Sequence, residues 1–233
     1  MTKRSILLMA WLCLACADVT PIEDSQVFGP VVTLKDWFTS CQLLKTRDGA
    51  LLFDACFREG ALEDGLAAQG LTPADVTHVL LTHAHRDHVG GLGFLPHAKV
   101  LGLAEEQPNL DEHANGRRID QAIVDGEVLT FGEHEVRVFS MPGHTPGSAA
   151  FLVGGALVLG DNALFTGDGT LAPVPERNSE DPAGVVTSLV RLEDRLVSDD
   201  LEVRWIVPAH SGGVEGRKAL TDYAEHQRAA RLR

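Results

Sequence analysis

Directly after the apolar run Val79-Leu80-Leu81 the chain reads Thr82-His83-Ala84-His85-Arg86-Asp87-His88-Val89-Gly90-Gly91. An apolar run that stops at a cluster of imidazoles reads as a buried strand delivering its end to a site. Side chains alternate along a strand, so His83 and His85 are expected on the same side, while Asp87 and His88 fall in the following turn and can face a second point. His-x-His-x-Asp-His arises by chance about once in a thousand chains of such composition, so a solvated turn explains it poorly. Two further histidines have similar settings: His144 in the rigid turn Met141-Pro-Gly-His-Thr-Pro-Gly-Ser148, and His210 in Val207-Pro-Ala-His-Ser-Gly-Gly213. Either one alone would read as structural. Five imidazoles placed at strand ends, with nearby carboxylates, suit zinc, and a carboxylate can complete a two-metal site.

Short apolar segments bounded by Gly, Asp or Pro predict strands at Val31–Leu34, Cys41–Thr46, Ala50–Asp54, Thr77–Thr82, Lys99–Leu103, Glu127–Phe131, Glu135–Ser140, Ala149–Val153, Ala156–Leu159 and Val203–Val207. Helices are expected at Glu59–Gln69, ending at Gly70, at Pro182–Val197, capped by Asp181, and at Val214–Arg231. Residues 104–126 are polar and lack periodicity, and read as a lid or rim. The pattern implies an α/β chain with two sheets and helices packed outside them. At 233 residues, 44% apolar and 23% charged, it has the composition of one ordinary globular domain. Cys41 and Cys56 lie near the ends of a predicted hairpin; a disulfide and two buried thiols both fit.

These motifs resemble those of the metallo-β-lactamase superfamily, over about residues 27–215. The resemblance implies a four-layer αββα sandwich with a metal site at one edge. Carried over, His83, His85 and His144 would hold one metal, and Asp87, His88 and His210 the second. A carboxylate after a later strand would bridge them. Phe165-Thr-Gly-Asp168 looks locally like the family's motif, but the hairpin Ala149–Val153, Ala156–Leu159 delivers Asp161 at its end, which makes Asp161 the preferred bridge. The chain departs from the family pattern at Asp54-Ala55-Cys56, where Asp-x-Gly is usual, and at Pro208-Ala-His210-Ser211, where Pro-Gly-His-Gly is usual. Neither departure removes a ligand. Asp54 is a candidate to support a ligand from behind.

The implied cofactor is two Zn²⁺ per chain, with iron or manganese as substitutes. Two such ions acidify a bridging water and polarise an acyl oxygen, with Asp87 as the catalytic residue that orients the nucleophile and shuttles its proton. The expected activity is hydrolysis of an ester, thioester, lactone or related acyl bond of a small molecule. The alternatives are an all-His subclass β-lactamase, a mononuclear iron persulfide dioxygenase and a metal-binding lipoprotein without catalysis. With 23 residues after His210, the appended domains of the glyoxalase II, nuclease and flavodiiron branches are not expected. Arg117 and Arg118 could clamp a substrate carboxylate.

Residues 1–17 read as an export signal: Lys3 and Arg4 precede an apolar core of ordinary signal length. Leu14-Ala15-Cys16 resembles a lipobox, with lipid on Cys16 and membrane anchoring as the consequence; plain cleavage after Ala17 is the rival. A domain of residues 18–233, in the periplasm or on a membrane, would follow. The net charge of −13 argues against a nucleic-acid partner, which needs a basic surface.

Overall fold

The computed structural model describes residues 19–114 and 116–232; the expected export signal, residues 1–17 with Cys16, lies outside them. The first half of the chain builds β1 (Val27–Phe28), β2 (Val31–Asp36), β3 (Thr39–Thr46), β4 (Gly49–Phe53), α1 (Glu59–Ala68), β5 (Val76–Leu80), α2 (Arg86–Val89), β6 (Lys99–Leu103), α3 (Gln107–His113) and β7 (Gln121–Ile123). Its seven strands form one sheet in sequence order. The pairing is antiparallel from β1 to β4 and parallel from β4 to β7.

The second half builds β8 (Val128–Phe131), β9 (His134–Ser140), β10 (Ala149–Val153), β11 (Ala156–Gly160), β12 (Leu164–Phe165), β13 (Leu171–Ala172), α4 (Pro182–Ser198), β14 (Trp205–Pro208), β15 (Val214–Glu215) and α5 (Lys218–Arg231). The second sheet runs β15-β14-β11-β10-β9-β8, and β12 pairs with β13 in a small separate hairpin.

Three apolar layers hold the sandwich together, and strand alternation generates them. On β4, Leu51 and Phe53 point between the sheets, where they meet Val138, Phe151 and Val158 of the second sheet. Leu52 points the other way, into the layer under α1 with Leu62 and Leu66. On β10, Ala149, Phe151 and Val153 face the inter-sheet layer, while Ala150 and Leu152 face α4. Strands covered on both faces must be apolar at nearly every position, which is why β4, β10 and β11 read as continuous runs. The outer layer closes with Val185, Leu189, Leu192 and Leu196 of α4, a stripe with helical spacing. That helix begins where Asp181 accepts a hydrogen bond from the Gly184 N–H at 3.0 Å, with Pro182 next to the cap. The expected αββα sandwich is therefore the observed fold.

Several boundaries differ from the sequence reading. The strand expected at Thr77–Thr82 ends at Leu80, so His83 and His85 sit on the loop beyond it. Residues 104–126 form α3 and β7, and β7 extends the first sheet, where a lid or rim was expected. The expected helix Val214–Arg231 begins as β15, paired with β14, and turns helical at Lys218. The strand expected at Val203–Val207 is Trp205–Pro208.

Cys41 of β3 and Cys56, beyond the end of β4, form a disulfide with 4.9 Å between their Cα atoms and lie in the core. The bridge closes a loop of 15 residues, so replacing both with Ala is expected to lower stability by about 3 kcal/mol, through the entropy regained by the unfolded chain. Chemical denaturation of the double variant against the parent, both under non-reducing conditions, measures this; an unchanged midpoint contradicts it.

Candidate metal centre

Parallel strands β4 and β5 of one sheet and β11 and β14 of the other end at the same edge of the sandwich. Open sheets place their sites beyond such carboxyl ends. The loop after β5 carries His83, His85, Asp87 and His88, and the β9–β10 loop carries His144. Asp161 follows β11 directly, and His210 follows β14. The two sheets are joined at this edge by the Ala149 N–H donating to the Thr82 carbonyl at 2.7 Å. Gly160, with φ of 54°, lets the end of β11 pass against Thr82; a Cβ there would stand 2.3 Å from the Thr82 Oγ1. That close approach sets Asp161 among histidines of the other sheet.

Two groups of donors result. His83 Nε2 lies 3.2 Å from His144 Nε2, which lies 3.0 Å from His85 Nδ1. Neighbouring ligands on a tetrahedron with bonds of about 2.0–2.1 Å stand roughly 3.3 Å apart, so this spacing suits one zinc ion. The second group is Asp87, His88 and His210, with Asp87 Oδ2 at 3.2 Å from His210 Nε2. Asp161 touches both. Its Oδ2 lies 3.6 Å from His144 Nε2 and 3.1 Å from His210 Nε2, and its Oδ1 lies 3.2 Å from His88 Nε2. His88 Nε2 and Asp161 Oδ1 are buried and face each other at 3.2 Å without a well-aligned hydrogen bond. Buried polar atoms in that condition call for a partner. A cation shared between imidazole and carboxylate satisfies both, so the donor set fits a pair of metal ions.

The rear nitrogens are held as well. Asp54 accepts from His88 Nδ1 at 2.7 Å, from the Thr82 N–H at 2.7 Å and from the Thr82 hydroxyl at 2.6 Å. The Phe38 carbonyl accepts from His210 Nδ1 at 3.0 Å, and the two rings stack. Such contacts fix the tautomer and aim the other nitrogen at the metal position. Asp54 holds this place with a left-handed backbone, φ 62°, which Asp tolerates better than bulky residues.

Charge divides the two groups. Burial holds His83 well below the usual histidine range and pushes His144 down to about 4, so both are neutral ligands in waiting. Burial also opposes the charge on His88 and His210, but the carboxylates around them together outweigh it, Asp161 and Asp87 for both and Asp54 for His88 as well; His88 is raised well above its usual value and His210 to about 10. Asp161 is likewise disfavoured by burial as an anion, yet His210 and His88 hold it well below the usual carboxylate range. The metal-free site thus pairs a buried carboxylate with protonated imidazoles, which must lose those protons when a cation enters.

The structure brings together His83, His85, Asp87, His88, His144, Asp161 and His210. Asp168 does not join them: its carboxylate is exposed and accepts from Thr166 and Thr170 within its own turn. Arg117 is neither a substrate clamp nor simply solvated: it donates to the Leu92, Leu95 and Ala98 carbonyls and so staples the turn after α2. Sequence reasoning missed Glu106, which is fully buried and accepts from both histidine-bearing loops. No signal separates it from Glu105, its exposed neighbour. It missed Phe38 too, whose contact with His210 depends on the β2–β3 turn crossing to the other sheet.

The sequence profile of the metallo-beta-lactamase superfamily matches residues 34–210. Among curated proteins, metallo-beta-lactamase domain-containing protein 1 of Xenopus laevis is 36% identical over 137 residues, 54% of this chain and 56% of that one. A hydroxyacylglutathione hydrolase of Shewanella sp. (strain ANA-3) is 38% identical over 113 residues, 46% of this chain and 41% of that one. The chain thus spans about half the length of these curated relatives. Among solved structures, a metallo-beta-lactamase family protein from Thermus thermophilus superposes with a TM-score of 0.65 at 26% identity, covering 88% of this chain and 81% of that one.

Proposed function

Since the chain belongs to the metallo-beta-lactamase superfamily, we propose that it is a zinc-dependent hydrolase of an ester, thioester, lactone or related acyl bond. The observation that carries this reading is Asp161, a buried carboxylate in contact with His144 of one group and with His88 and His210 of the other. In this assignment His83, His85 and His144 would hold one ion, Asp87, His88 and His210 would hold the second, and Asp161 would serve both. A metal pair bound there supplies Lewis-acid polarisation of the acyl oxygen and an acidified water. Asp87 is the more open of the two carboxylates, with 23% of its side chain exposed against 9% for Asp161, so it can take the proton of the attacking water and return it to the leaving group. Asp54 keeps His88 aimed, and Phe38 keeps His210 aimed.

The β2–β3 turn offers an apolar contact for the acyl group. Trp37 is 59% exposed and packs edge-on to Phe38, which stacks on His210; the Phe57 ring also lies against Phe38. An exposed Trp beside a polar centre suits an apolar portion of a small substrate. The names of the hydroxyacylglutathione hydrolase relatives make thioesters the first class to try. The contact of Asp161 with both groups favours this reading over the all-His β-lactamase, whose ligand set gives that carboxylate no role. Export, with or without lipid on Cys16, is part of the proposal.

Zinc-loaded protein screened against thioesters, lactones, esters and β-lactams tests it. Turnover of at least one acyl substrate, abolished by chelation and restored by zinc, is expected. Turnover confined to β-lactams, or none on a fully loaded protein, counts against it. In the same assay Trp37→Ala is expected to raise KM for substrates with long apolar acyl groups and to spare short ones; an equal loss for both would remove Trp37 from recognition.

A further inference from the structure

Two loops supply the triple-histidine group, and they come from different sheets. Most of the histidines in the centre have a partner behind them, but His144 Nδ1 is buried without one. Its aim therefore depends on the backbone of its loop. That loop is held from one side by the start of the α4 segment: the Asp181 N–H donates to the Gly143 carbonyl and the Glu180 N–H to the His144 carbonyl. From the other side it is held by Glu106. The Oε2 of Glu106 accepts from the Thr145 hydroxyl at 2.7 Å and from the Gly147 N–H at 3.0 Å. Its Oε1 accepts from the Ala84 N–H at 2.7 Å, the residue between His83 and His85. One buried carboxylate thus spans both loops and touches the residues next to all three histidines.

The fit is close. A Cβ on Gly147 would stand 2.4 Å from the Glu106 backbone nitrogen, so the loop packs directly on this residue. Asn109 donates to the same carboxylate at 3.2 Å, which gives the fully buried Glu106 four donors. A carboxylate with two acceptor oxygens meets that demand, and no neutral side chain of the same length does.

We propose that Glu106 is a positioning residue for the metal held by His83, His85 and His144, tying the two loops at the spacing that ion needs. This rests on the two-metal reading above. In Glu106→Gln one oxygen becomes an NH₂ group, which faces the Gly147 N–H donor to donor. Thr145→Val removes the hydroxyl, with its contacts to Glu106 and to the Ser148 hydroxyl, and keeps the side-chain volume, so it carries the test if the first variant fails to fold.

The experiment is titration of the metal-free wild type, Glu106→Gln and Thr145→Val with Co²⁺ against a competing chelator. Visible absorption follows each binding event, and near-ultraviolet circular dichroism confirms a folded chain. One of two binding events is expected to weaken by about 10–100-fold, the range measured for groups that support metal ligands, while the other stays unchanged. A merely structural role would lower thermal stability without separating the two events. Equal weakening of both events, or none in a folded variant, overturns the assignment. A wild type that binds no Co²⁺ overturns the metal reading itself, which tells the two failures apart.

Discussion

Asp161→Ala is expected to reduce bound zinc from two ions to one or fewer and to abolish turnover, while Asp168→Ala leaves both unchanged. The physical reason is position. Asp161 is 8% exposed and contacts His144, His88 and His210 within 3.6 Å. Without it, the two groups lose the anion they share, and His88 and His210 lose the largest of the charges that offset their burial. Removing one partner from a buried charged cluster is also costly to the fold, so the variant is compared at a temperature where circular dichroism shows native structure. Asp168 lies on the surface in its own turn, where substitutions usually change little. Metal analysis and rate measurements on both variants decide it; a fully loaded and active Asp161→Ala protein contradicts the assignment.

Asp87→Asn is expected to keep the fold and at least one metal, yet to lower kcat by about 10²–10⁴-fold, the range a positioned acid–base group contributes. Asn preserves the shape of Asp87 and an oxygen that can reach the second ion, but it cannot accept a proton. The change should fall on kcat more than on KM, because the loss concerns proton transfer in the transition state. Steady-state kinetics at matched zinc occupancy measures it. Near-native kcat in the loaded variant would remove Asp87 from proton transfer and leave it as a ligand alone.

The fold was legible where strands are buried on both faces. β4, β10 and β11 are apolar at every buried position, and their ends were readable to within a residue or two. That Asp161, and not Asp168, lies among the histidines was legible as well, because the β10–β11 hairpin has a fixed length and must return the chain to the same edge. Other features depended on contacts between distant segments. α3 and β7 carry few apolar residues, since β7 is an edge strand and α3 buries only Leu110, so periodicity gave no sign of them. His83 and His85 meet at His144 through a loop after β5, and strand alternation does not produce that meeting. Glu106 is buried because Gly147 comes against it from the other sheet, a pairing that no local pattern encodes. Nor does the sequence show that three distant backbone carbonyls bind the guanidinium of Arg117.

Metal stoichiometry tests the paired metal centre most directly. Protein stripped with a chelator, reloaded with excess zinc and freed of unbound metal is to be analysed by inductively coupled plasma mass spectrometry. Two zinc ions per chain are expected, one for each group of donors that Asp161 joins. Saturation at one ion or fewer, or retention of a single iron in place of zinc, would contradict it.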